Sequence, residues 1–182
     1  MWIIFFLIPV QIPFYLKNLG VEKNVLIGMA IAVSTLFSAI SSISYSRIKG
    51  LFSFHTIFIV GYSLMAIAYL LVAMAHSYLL VLFAMMFAGL GMGMMIPNTN
   101  IWVMKIAPPE IRGKEIGKLT TFWFFGQFLS PIVLFPLISA LSLSGTFLVA
   151  SGVLLLLSLA WLFFLISNNR KLQKIQEASH SN

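Results

Sequence analysis

Cysteine is absent from this sequence, acids are scarce, and charge of either sign is thin. The 182 residues hold no cysteine, four Asp plus Glu, and eleven Lys plus Arg. Without cysteine there is no disulfide framework, no thiolate zinc site and no thiol nucleophile. Charged residues reach only 8%, against roughly 25% in an average soluble domain. That is too little polar surface to cover a water-soluble fold, and too little charge for a disordered chain. The few titratable groups also sit in the wrong places for catalysis. Glu22, Glu110, Glu115 and Glu177 fall in loops or the tail, His55 and His76 near helix ends, and His180 in the tail. There are no paired carboxylates, no clustered histidines and no Gly-rich phosphate loop with lysine, so the expectation is no enzyme, no metal and no cofactor.

What is present is hydrocarbon-compatible sequence. Hydrophobic residues make up 60%, and the mean hydropathy is +1.03. Gly50 to Met104 contains no Asp, Glu, Lys or Arg, and neither does Leu119 to Asn169. A transmembrane helix takes about 20 apolar residues, so each run holds two spans and a tight turn. The turn chemistry lies at Ala75-His76-Ser77 and Ser142-Leu143-Ser144-Gly145. The reading is all-α: a polytopic membrane bundle with helices over roughly 1–16, 25–46, 54–75, 78–105, 117–140 and 145–167. Continuous apolar runs exclude the alternating segments of about ten residues that make a membrane barrel. The first segment lacks the basic start and cleavage site of a secretory signal. One six-helix domain over 1–168, its first helix shortened, is followed by a basic and polar tail over 169–182.

The bases set the orientation. With six spans, Arg47, Lys49, Lys105, Arg112, Lys114, Lys118, Arg170, Lys171 and Lys174 share the side of both termini, and only Lys17 and Lys23 lie opposite. Under the positive-inside rule both termini face the cytoplasm, in a cell membrane. Trp2, Trp102, Trp123 and Trp161 fall near the cytoplasmic helix ends, at headgroup depth. The +7 charge therefore reports topology, and no segment suits nucleic acid.

An internal offset of 88 aligns Ile8-Pro9 with Ile96-Pro97, Lys17 with Lys105 and Glu22 with Glu110. One inserted residue later, Ile27-Gly28 meets Ile116-Gly117. Lys17 and Lys105 lie on opposite sides, so the spacing predicts two three-helix units of inverted orientation.

Several motifs carry a family likeness. Gly89-Leu-Gly-Met-Gly93 leads into Ile96-Pro97-Asn98, then Ala107-Pro-Pro-Glu-Ile-Arg-Gly113, Gly117 and Gly126-Gln-Phe-Leu-Ser-Pro131. This series resembles the tenth helix, following loop and eleventh helix of a major facilitator superfamily transporter. The resemblance implies the C-terminal half, helices seven to twelve, of a twelve-helix carrier. It further implies alternating-access movement of a small organic solute, in the export direction, against a second six-helix bundle. That bundle would be a separate N-terminal half or a second copy. The alternative is a truncated or accessory membrane protein with no transport of its own. One departure touches the loop Ser44-Tyr45-Ser46-Arg47-Ile48-Lys49-Gly50, where the family's acid is missing and the base remains.

Amides in apolar segments either bond between helices or face a cavity, because an unpaired amide in lipid is costly. Gln11, Asn98, Asn100 and Gln127 carry both readings. In the resembled family the first helix of each triplet lines the cavity, which adds Tyr15 and Thr99 as substrate-path candidates. Pro9, Pro13 and Pro97 interrupt the same two helices and predict kinks, with or without a ligand beside them. Gly89, Gly91, Gly93 and Gly126 read as close-packing positions, and Ser130-Pro131 as a hinge. Met85, Met86, Met92, Met94 and Met95 crowd one helix, either as adaptable packing or as a soft wall for apolar ligands. Ser34, Thr35, Ser38, Ser41, Ser42 and Ser44 read as small packing residues. Arg47 and Lys49 lie in one cytoplasmic loop and Glu110, Arg112, Gly113, Lys114, Glu115 and Lys118 in another, solvated or gating, where Glu110 or Glu115 would pair with a base.

Overall fold

A computed structural model describes the backbone of residues 2–180 and the side chains of residues 2–168. Every regular element among them is helical: α1 (Trp2–Phe5), α2 (Leu7–Asn18), α3 (Asn24–Leu51), α4 (Phe54–Ala73), α5 (Tyr78–Ile106), a 3-10 turn (Pro109–Ile111) and α6 (Arg112–His180). Four stretches are long and apolar enough to cross a membrane, namely α3, α4, α5 and Pro109–Asn168, which joins the 3-10 turn to α6; the α1–α2 pair is shorter.

Local chemistry explains the breaks. The ring of Pro9 has no N–H for the Phe5 carbonyl and crowds it, so the first helix divides at Phe6 instead of running unbroken over 1–16. Carbonyls at that break find partners elsewhere. The Tyr69 hydroxyl donates to the Ile4 oxygen at 2.6 Å, and Ser130 donates to the Ile3 oxygen at 2.8 Å. Gly20 ends α2 in the left-handed conformation (φ 81°), which lets the Val21 N–H reach back to the Leu16 carbonyl. Ser53 and Ser77 cap α4 and α5 by accepting from the Thr56 and Leu80 N–H groups. Pro108 and Pro109 follow the end of α5.

The last two expected helices, 117–140 and 145–167, form a single element broken at Ser142, whose φ of 66° is not helical. The turn falls where the Ser-Leu-Ser-Gly chemistry placed it, but it is tighter. It splits α6 into a first arm, 112–141, and a second arm from 143 onward. Two other boundaries differ from expectation. α3 continues through Arg47 and Lys49 to Leu51, and the backbone over 169–180, expected as a separate tail, prolongs α6.

The helices pack by small residues and hydroxyls. A Cβ on Gly89 or Gly93 would collide with the Ser34 or Ser38 carbonyl of α3, and one on Gly91 would strike the Gly61 carbonyl of α4. Glycines 89 and 93, one turn apart, thus bring α5 against α3 while Gly91 turns the opposite face to α4. The second arm of α6 runs antiparallel to α4: Ser151 donates to the Ala66 oxygen, Ser158 to the Ile59 oxygen, and Tyr69 packs edge-on against Phe147. The first arm meets α1, where Gly126 accepts the Trp2 side chain and Trp2 stacks on Trp123 at 5.6 Å.

These contacts sort the molecule into two ends. Lys49 and Lys105 both approach the Phe54 ring at one end, the basic end. Tyr15, Ala75, His76 and Ser142 gather at the other.

Candidate functional site

Pro9 on α2, the Ser34, Thr35 and Ser38 hydroxyls on α3, and Met85 and Met92 on α5 enclose a cavity of about 140 Å³ with Ile8 and Ile31. The glycine seam creates it. Because Gly89 and Gly93 hold α5 tightly on α3, the flank of that pair forms a narrow cleft, and the Pro9 segment of α2 borders it, leaving Pro9, Ile31 and Thr35 exposed at its mouth. Hydroxyls at 34, 35 and 38 share one side of α3. The Thr35 hydroxyl donates back to the Ile31 carbonyl at 3.0 Å, which leaves its oxygen lone pairs as acceptors. Two thioethers form the opposing wall. No lining residue is charged, so the cavity suits an uncharged or amphipathic molecule offering an apolar body and a donor.

A second, more polar cavity of about 210 Å³ lies at the far end, lined by Tyr15, Asn18, His76, Ser142 and Ser144 among others. Tyr15 is buried and its hydroxyl donates to the Ala75 carbonyl at 3.2 Å.

The six substrate-path candidates do not converge. Tyr15 reaches the far-end cavity. Asn98 is fully buried: its carbonyl oxygen accepts from the Tyr45 hydroxyl at 3.0 Å, and its NH₂ donates to the Phe54 carbonyl at 3.0 Å. One amide thereby ties α3, α4 and α5 together, the interhelical role among its two readings. Thr99 is buried and bonds back to the Met95 carbonyl at 2.8 Å. Gln11 and Asn100 are half-buried, and Gln127 is exposed on the first arm of α6. Of the expected kinks, Pro9 lines the cavity, Pro13 lies within α2, and Pro97 lies inside α5. Pro131 lies within α6 beside the buried Ser130.

The loop residues remain local. Glu115 pairs with Lys118 at 2.7 Å on its own helix, with both side chains solvent-accessible, an arrangement contributing about 0–1 kcal/mol. Arg112 donates to the Ala107 carbonyl at 3.3 Å, while Glu110 and Arg47 are exposed and Gly113 has open space around it. Lys49 donates to the Phe52 carbonyl.

The α3 hydroxyls carry more of the architecture than the isolated residues suggest. Positions 34, 38, 41 and 45 follow a four-three-four spacing and all face α5. Ser34 and Ser38 meet the glycines, Ser41 donates to the Leu90 carbonyl at 2.8 Å, and Tyr45 reaches Asn98. That spacing is the sequence signal for the seam, and for the cavity beside it. His55, near a helix end in the sequence, stands among Trp102, Trp161 and Phe164.

The family model described as Major Facilitator Superfamily matches residues 1–181. No curated protein matches the chain.

Proposed function

The chain belongs to the major facilitator superfamily, a family of membrane transporters, and from that premise we propose that it moves a small organic solute by alternating access. It acts as one six-helix half, helices seven to twelve, of a twelve-helix carrier, and it exports its solute across the cell membrane. The observation that carries this reading is the uncharged cavity of Pro9, Thr35, Ser38 and Met92 between α2, α3 and α5. It offers hydroxyls and thioethers to one small amphipathic ligand.

The inverted repeat is supported by the helix boundaries. An offset of 88 carries Asn18, the end of α2, to Ile106, the end of α5, and Asn24, the start of α3, to Arg112, the start of α6. The turn at Ser142 supports a reading of six passes between the two ends, and the positive-inside rule supports termini on the basic, cytoplasmic side. The opposing bundle would cover apolar faces of α3 and the first arm of α6. Leu36 and Ile40 on α3, and Phe124 and Phe128 on α6, are all exposed.

Export of a neutral amphipathic dye from preloaded cells tests the proposal, using the chain alone and the chain co-expressed with a candidate second bundle. Thr35→Trp fills the cavity from an exposed position and leaves the glycine seam untouched. The expected result is export that this variant abolishes at unchanged expression. Equal export by the variant removes the cavity from the path, and no export with any partner removes the transport reading. The cysteine-free background adds two readouts. A cysteine at Phe128 is expected to crosslink to the second bundle. Cysteines at Lys17 and Arg112 are expected to react with impermeant maleimide from opposite sides.

A further inference from the structure

At the basic end, the start of α4, the end of α5 and the second arm of α6 leave a cleft of about 310 Å³ between them. Its walls are His55, Trp102, Leu157, Ala160, Trp161 and Phe164. The rings hold one another: Trp102 meets Trp161 edge-on at 5.9 Å, and His55 lies 5.3 Å from Trp161 and 5.5 Å from Phe164. The cleft opens outward, since Phe164 is 53% exposed. It lies on the opposite flank of α5 from the α3 seam and forms no part of the cavity beside Pro9.

Charge identifies what fills it. Lys105 follows Trp102 by one helical turn, so it stands just beyond the cleft toward water. Its ammonium lies 5.6 Å from the centre of the Phe54 ring, and that of Lys49 lies 4.1 Å from the same ring. Two cations therefore converge on the ring of Phe54, the residue that precedes His55 of the cleft. Among the described residues the ion pair formed is Glu115 with Lys118, and no carboxylate neutralises either Lys49 or Lys105. An apolar aromatic slot with two ammoniums around the adjacent Phe54, neither paired with a carboxylate among the described residues, suits an amphiphile with an anionic head at the headgroup level of a membrane.

We propose that this cleft binds an anionic phospholipid, its phosphate against Lys49 and Lys105 and an acyl chain between Trp102, Trp161 and Phe164. The paired cations disfavour a quaternary ammonium among these rings, so phosphatidylglycerol is held in preference to phosphatidylcholine. The site is independent of the transport reading, because it depends on the membrane environment alone.

Native mass spectrometry of the full chain, purified in dodecyl maltoside with added phosphatidylglycerol or phosphatidylcholine, tests it. The expected result is one retained phosphatidylglycerol per chain and no retained phosphatidylcholine at the same concentration. Lys49→Gln with Lys105→Gln is expected to weaken retention roughly thirtyfold, at about tenfold per 1.4 kcal/mol. Ala160→Trp fills the cleft without deleting a contact and is expected to abolish retention. Lys17→Gln with Lys23→Gln, at the far end, leaves retention unchanged. Equal retention of the two lipids, or undiminished phosphatidylglycerol in either cleft variant, overturns the proposal.

Discussion

Helices α4 and α5 have half of their most apolar stretch buried inside the bundle, whereas α3 and α6 have 22% of theirs buried. The hydropathy of those stretches does not separate the two pairs, because all four are strongly apolar. In water such a difference would show as amphipathicity. In lipid it cannot, since hydrocarbon solvates an outward-facing Leu as well as the bundle interior does. What separates the pairs is close approach. Gly61, Gly89, Gly91 and Gly93 on α4 and α5 all meet a neighbouring helix, while on α3 and α6 Gly28, Gly113, Gly117 and Gly152 have nothing near and Gly126 meets the short α1.

The sharpest way to break that comparison is to place the same side chain on both sides of it. Gly93→Leu drives atoms into the backbone of Ser38, which has no rotamer with which to yield, and the expected loss is about 3 kcal/mol. Gly152→Leu points into open space and replaces a poor helix former, so stability is expected to hold or rise slightly. Melting temperature in detergent, followed by size-exclusion fluorescence, distinguishes them. Similar melting for both would mean that the seam is not what holds α5 to α3.

The next effect concerns polar groups. Asn98→Leu leaves the buried Tyr45 hydroxyl and the part-buried Phe54 carbonyl without their partner. The expected cost is about 1–3 kcal/mol. Gln127→Leu, on the exposed face of α6, is expected to leave the melt where it is. If Asn98→Leu instead melts like the wild type and fails only in dye export, Asn98 belongs to the solute path after all.

That pair of amides shows how far the sequence could be read. The membrane class and the turn at Ser142 were legible because charge and turn residues are excluded from hydrocarbon. The division at Phe6 was not, because a proline such as Pro9 announces a kink without saying which residue absorbs it. The extension of α3 through Arg47 and Lys49 was also hidden, since a charged residue ends a span but need not end a helix. The candidate site was the least legible part. Gln11, Asn98, Thr99 and Gln127 all look alike in an apolar run, and only the path of neighbouring helices places Asn98 between Tyr45 and Phe54 and leaves Gln127 exposed. The cavity is instead lined by Ser34, Thr35 and Ser38, whose hydroxyls carry no distinctive signature beyond their spacing.

A smaller effect, of opposite sign, sharpens the contrast at the joint of α6. Ser142 holds φ 66° and ψ 174°, a combination open in practice only to glycine. Ser142→Gly is expected to stabilise the chain by about 1 kcal/mol, raising the melting temperature. A lower melting temperature would indicate that the Ser142 oxygen, 3.5 Å from the Gly145 N–H, matters more to the turn than its backbone does.

The smallest expected change tests whether one hydroxyl means different things on the two surfaces. Ser63 and Ser158 share a hydrogen bond at 2.8 Å, and Ser158 donates onward to the Ile59 carbonyl at 3.1 Å, so removing Ser158 breaks a short relay joining α4 to α6. Thr121, on the exposed first arm, bonds only to the carbonyl of Gly117 in its own helix. Ser158→Ala is expected to cost about 0.6 kcal/mol, the usual worth of an interhelical hydrogen bond in lipid, and Thr121→Ala close to nothing. A double-mutant cycle with Ser63→Ala separates the two contributions: coupling between 63 and 158, and none between 63 and 121, is the outcome required. If the cycle shows no coupling, the relay is incidental, and α4 must be held to α6 by the Tyr69–Phe147 contact and the Ser151 bond to Ala66 instead.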